Sequence, residues 1–154
     1  MWQKLLRHFE SPPVDPAVRQ RLAVAVLLLE CARADFDQSA DEIAQVRSSL
    51  QRYFGLDAAG LEALLAEAGE QARKSVSLHE FVGSLNASLQ PADKLQIMSM
   101  LWQVAYADGK LDAHEEHLLR KFAELLYVPH KDFIATKLEA AAQAQSRSQS
   151  GSHG

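Results

Sequence analysis

The sequence predicts an all-α protein of seven to eight helices in a single domain, and three observations carry that expectation. Apolar residues recur at i, i+3, i+4 and i+7 through most of the chain, the spacing of one helix face. Helix starts are marked repeatedly: Asp15-Pro16, Ser39 with Glu42, Ser77 with Glu80, and Asp112 with Glu115. No stretch alternates with period two, and β-branched residues are thin.

The elements follow in order. Trp2, Leu5, Leu6 and Phe9 fall on one face of a short helix, with Lys4, Arg7 and His8 off that stripe. It can dock on the core or lie on a membrane surface. Ser11-Pro12-Pro13-Val14 ends it, so residues 1–14 read as an amphipathic helix with a proline linker. Asp15 caps the next helix, and Pro16 takes its first position. That helix is apolar nearly all round from Leu22 to Leu29, which places it at the centre of the core.

Ser39 and Glu42 form a capping box, opening a helix with Ile43, Val46, Leu50 and Phe54 inward and Gly55 as its stop. Asp57 caps a helix carrying Leu61, Leu64 and Leu65. Ser77 and Glu80 open another, with Phe81 and Leu85. Pro91 starts a helix that buries Leu95, Met98, Leu101, Trp102 and Ala105. Asp112 and Glu115 start the one bearing Leu118, Leu119, Phe122, Leu125 and Leu126. After the Val128-Pro129 turn, Phe133, Ile134 and Leu138 mark a last helix. From Gln143 the composition turns to Ser, Gln, Arg and Gly, with nothing to bury. The domain is therefore set at residues 15–142, with 143–154 as a disordered tail.

Bulk properties narrow the function classes. A chain of 154 residues can bury a core, and 47% hydrophobic with 23% charged residues is ordinary for a globular protein. A net charge of −4 argues against nucleic-acid binding, which needs a basic surface. The lone Cys31 excludes an internal disulfide and, inside an apolar run, reads as a small buried hydrophobe. No apolar run reaches the length of a membrane span, and no secretory signal opens the chain, so the cytoplasm is the expected location.

Two acidic loops stand out, Ala34-Asp35-Phe36-Asp37-Gln38-Ser39 and Ala107-Asp108-Gly109-Lys110-Leu111-Asp112. An offset of 73 residues lays Asp35 on Asp108 and, without a gap, Ala34 on Ala107, Ala40 on Ala113, Glu42 on Glu115 and Arg47 on Arg120. One further gap brings Gly55-Leu56 opposite Tyr127-Val128. The expectation is two similar helical units, about 19–72 and 91–142, around a pseudo-twofold axis.

Each loop offers hard oxygen donors: Asp35, Asp37, Ser39 and Glu42 in the first, Asp108, Asp112, Glu115 and Glu116 in the second. Such a set suits Ca²⁺ or Mg²⁺. Asp35-x-Asp37-x-Ser39 starts like an EF-hand loop, but the sixth position is not Gly and the twelfth is Val46, so no EF-hand is present. Helix capping competes as an explanation for Ser39/Glu42 and Asp112/Glu115, because carboxylates also belong at the positive end of a helix dipole. Capping leaves Asp35 and Asp108 unexplained. His114 and His117, three apart, do not match the metalloprotease spacing, and neither a nucleophile elbow nor a phosphate-binding Gly-rich loop occurs.

The run Ala105-Tyr106-Ala107-Asp108-Gly109 with Glu115, followed by Leu118, Leu119, Ala123 and Leu126, resembles the tellurite-resistance TerB-like family, which includes a domain of a DnaJ-like co-chaperone. The resemblance spans Arg19 to Leu138; the first loop departs from it, with Phe36 where the glycine belongs. It implies an all-helical domain without enzymatic activity, linked to stress responses and membrane-associated complexes through a protein partner. It also implies a divalent-cation surface, carried over to Asp35, Asp37, Glu42, Asp108, Asp112 and Glu115. The rival expectation is an acidic protein-interaction module without metal; a metal-dependent hydrolase ranks last.

Overall fold

The computed structural model describes residues 15–33, 40–74, 78–109 and 111–151. Among them are seven helices and no strand: α1 Pro16–Arg33, α2 Ala40–Phe54, α3 Ala58–Arg73, α4 Leu78–Ser88, α5 Pro91–Ala105, α6 Ala113–Leu125 and α7 His130–Gly151. The expected N-terminal helix around Trp2–Phe9 and the Ser39 and Ser77 caps lie outside the described residues.

Helix α1 is the hub. Six consecutive residues, Ala23 to Leu28, are buried, together with Cys31 and Ala32. Burial on every side requires neighbours on every side, and α1 packs on α2, α3, α4, α5 and α6. Helix α5 is the second buried element, with Ile97, Met98, Met100, Leu101, Trp102, Val104 and Ala105 inside. Each large side chain taken fully from water contributes about 1.5–3 kcal/mol, so the α1–α5 seam dominates the stability of the domain. Around it, α1 packs with α2 and α3 as α5 packs with α6 and α7.

The helix ends follow their sequence signals. Asp57 Oδ1 accepts the Gly60 amide at 2.7 Å. Pro91 opens α5 behind Gln90, whose amide donates to Asp93 Oδ2 at 3.2 Å. Gly55 stops α2 with φ +62°, and the Leu56 amide reaches back to the Gln51 carbonyl at 3.0 Å. The end of α6 is built the same way, with Val128 N donating to Ala123 O at 2.8 Å, but the left-handed residue is Tyr127, at φ +57°. Asn86 of α4 donates its amide to the Leu125 carbonyl at 2.5 Å, satisfying one of the acceptors that the end of α6 leaves open.

One expectation about the last helix needs correction. The chain does not lose structure at Gln143: α7 is helical to Gly151. Ala140, Ala141, Ala142 and Ala144 are strong helix formers, and a polar segment can extend a helix already nucleated by docked residues such as Phe133. Leu138, one of the apolar residues that mark this helix in the sequence, is 62% exposed. The α7 face that docks instead carries Phe133, Thr136 and Ala140, at i, i+3 and i+7. Phe133 meets Trp102 with ring centroids 5.0 Å apart.

Candidate functional site

The second acidic loop is a tight turn at the end of α5. Tyr106 N donates to Trp102 O at 2.9 Å and Ala107 N to Val104 O at 3.1 Å, continuing the helix. Gly109 N then donates to Tyr106 O at 2.9 Å, closing a four-residue turn. Gly109 has φ +86°, a conformation costly for any residue with a Cβ. Asp108 is thereby held at the turn tip, exposed to water.

Asp112 caps α6. Its Oδ1 accepts the His114 amide at 2.8 Å, and its carbonyl accepts the Glu116 amide at 3.0 Å. Glu116 is half-buried and pairs with Lys137 of α7 at 2.6 Å. His114 and His117 are exposed on α6.

Glu115 behaves differently from the acids around it. It is fully buried, and so is Glu42, its counterpart at the 73-residue offset, in the first turn of α2. The reason is positional. Glu115 stands at the head of Leu118, Leu119 and Phe122, and Glu42 at the head of Val46, Ser49 and Leu50, so each occupies the first place of a core-facing stripe. That signal was present in the sequence, but reading the two glutamates as members of capping boxes hides it.

Both carboxylates act on one central group. The Cys31 thiol is held well above its ordinary pKa of 9.0, first by burial, then by the negative charge of Glu115 and then by that of Glu42. Cys31 belongs to α1, and its thiol donates to the Leu101 carbonyl of α5 at 3.7 Å. Cys31 thus sits where α1 meets α5, and it is the small buried hydrophobe that the sequence suggests.

Of the six acids singled out from the sequence, Glu42 and Glu115 are each buried in the core, Asp112 is a helix cap and Asp108 stands at the surface. Asp35 and Asp37 lie outside the described residues. Among the described residues no group of three or more His, Cys, Asp and Glu side chains is arranged to hold a metal ion. A residue not anticipated from the sequence does join the loop. Asp41, Tyr106, Ala107, Asp108 and Gly109 line a cavity of about 270 Å³ together with Ala144 and Arg147 of α7.

A family model described as tellurite resistance protein TerB matches residues 21–138, from the buried helix α1 through the docked part of α7. The chain belongs to the TerB family. No curated protein and no solved structure gives a match. The matched span of this TerB domain contains both buried glutamates and the Asp108 turn, and ends before Arg147. No helix among its described residues is long and apolar enough to cross a membrane.

Proposed function

We propose that this TerB domain is a non-catalytic module that binds a divalent cation at its acidic helix starts and docks a protein partner in a stress-response setting. The observation that carries the reading is the pair of buried carboxylates, Glu42 and Glu115, close enough to one another's surroundings that both perturb the same thiol. Carboxylates at two helix starts offer hard oxygen donors of the kind that a divalent cation takes. The donor set is all oxygen, with Asp108, Asp112, Asp35 and Asp37 in the segments leading into the same two helices, and it suits Ca²⁺ or Mg²⁺ better than a thiophilic metal. Family membership alone does not supply the ligand, so the reading stands on these side chains.

The test is thermal unfolding across a millimolar series of CaCl₂ and of MgCl₂. An ion at about one hundred times its Kd adds about 2.7 kcal/mol, which for a domain of this size raises Tm by roughly 5–10 °C. Glu42→Gln combined with Glu115→Gln removes the shift. A melting curve indifferent to both ions sinks the metal claim. The second reading, an acidic adaptor surface without metal, is favoured by the use of Asp112 as a cap and by the exposure of Asp108. Salt-sensitive binding of a basic partner, unchanged by chelator, supports it.

A further inference from the structure

We propose that the groove between α2 and α5 binds the oxyanion end of a small organic molecule, a carboxylate or a phosphate, at a site separate from the acidic helix starts and independent of the cation reading. The two helices pack together, and each turns one line of side chains to the groove. Ser49, Arg52 and Tyr53 stand at i, i+3 and i+4 on α2; Gln96, Met100 and Gln103 stand at i, i+4 and i+7 on α5. Together they line a cavity of about 260 Å³. Pockets for drug-sized ligands run to roughly 300–1,000 Å³, so the occupant here is small.

Hydrogen-bond donors dominate the lining. Ser49 is 5% exposed, a polar residue on the buried stripe of α2. Its oxygen accepts the Gln45 amide at 3.0 Å, and no acceptor among the described residues takes its own hydrogen. A buried hydroxyl hydrogen without an acceptor is costly, and a ligand oxygen in the cavity supplies one. Arg52 donates from Nη2 to Ser48 Oγ at 3.1 Å, which restrains the guanidinium and leaves its other N–H groups for a ligand. Gln96 and Gln103 add two carboxamides. No carboxylate lines the cavity. Asp93, the acid that acts on Tyr53, is engaged elsewhere: it accepts the tyrosine hydroxyl, and its Oδ2 accepts the Gln90 amide at 3.2 Å. Tyr53 is therefore a wall rather than a donor. A cation would meet Arg52 with no lining carboxylate to balance it, whereas an oxyanion meets one positive charge and several donors. Buried Met100 gives a short apolar body somewhere to lie.

NMR titration of the full chain at low salt tests this, with inorganic phosphate, glycerol 3-phosphate and butyrate in separate series. The side-chain amide signals of Gln96 and Gln103 shift and saturate with at least one probe, and the order of affinities tells a phosphate ligand from a carboxylate. Arg52→Ala weakens that binding about three- to tenfold, the range for a charged hydrogen bond from an exposed side chain. Ser49→Ala weakens it about threefold or more. Arg33→Ala, which removes the same charge from the end of α1 and outside this cavity, leaves it unchanged. Shifts that stay linear with all three probes overturn the site. So does an unchanged affinity in Arg52→Ala or in Ser49→Ala, and so does an equal loss from Arg33→Ala, which would mean that the anion answers only to overall charge.

Discussion

Helices α2 and α6 begin alike and end alike, and the two places where they differ are informative. Each starts on an alanine, Ala40 or Ala113, and sends the glutamate two positions on into the core. Each ends with a residue in the left-handed conformation and an amide bonded five residues back. The surface acid beside the buried glutamate is treated differently. On α6, Glu116 is held by Lys137, whose ammonium also lies 5.8 Å from the Trp102 ring centroid. On α2, Asp41 instead faces the cavity with Asp108 and Arg147. At the far end, Gly55 takes the left-handed turn without strain, while Tyr127 takes it with its side chain 77% exposed and Lys94 5.7 Å from its ring centroid. The core-facing positions are constrained by packing, so they match; the exposed ones are free to diverge.

Core substitutions break the comparison hardest. Leu119→Ala removes a fully buried side chain from α6 and is expected to cost about 2–5 kcal/mol in denaturant unfolding. Val46→Ala, at the matching place on α2, deletes fewer methyl groups and costs less. Equal losses would mean that the two helices are not embedded alike.

The buried thiol, raised by burial and by the charges of both glutamates, gives the next effect. The native Cys31 pKa is raised, so the unfolded chain gives up its proton first, from about pH 9. Above that point the native state binds the extra proton, and stability is lost as pH rises, by about 1.4 kcal/mol per pH unit until the native thiol itself ionises. Below pH 8 the contribution is fully present and flat. Cys31→Ala should erase this alkaline slope, and the native thiol should resist alkylation at pH 8 that goes to completion in denaturant. Prompt alkylation of the folded protein contradicts the burial.

Tyr127→Gly sharpens the comparison of helix ends. Releasing a non-glycine residue from the left-handed region is expected to stabilise the domain by about 1 kcal/mol, whereas Gly55→Ala should cost about the same. The smallest effect belongs to the surface pair: Lys137→Met should lower stability by about 0.5–1 kcal/mol, because the ion pair is only partly shielded from water. Asp41→Asn, with no such partner among the described residues, should change it by less. A reversed order would show that the α6 pair does not hold α7 to the core.

Much of this was legible in the chain. Period and capping determined the helices, because those signals are local: Asp57, Pro91, Asp112 and Gly55 act within one turn of themselves. The all-apolar run Leu22–Leu29 determined which helix is central, because burial on every face leaves no other place for it. The motif residues that carry the TerB resemblance were also readable, since they are fixed by the turn and the stripe that follows it.

Tertiary structure alone decided the fate of each acid. A carboxylate at the third position of a helix can cap its own backbone or point into a core, and the residue type does not choose; the packing of α2 and α6 against α1 and α5 buries Glu42 and Glu115 and leaves Asp108 in water. The same holds for the last helix. Its polar end has no reason of its own to be ordered, but Phe133, Thr136 and Ala140 dock its base, and the rigid rod carries Arg147 to an acidic turn 39 residues earlier in the chain. Local sequence fixes what forms locally; long-range packing fixes which charges meet.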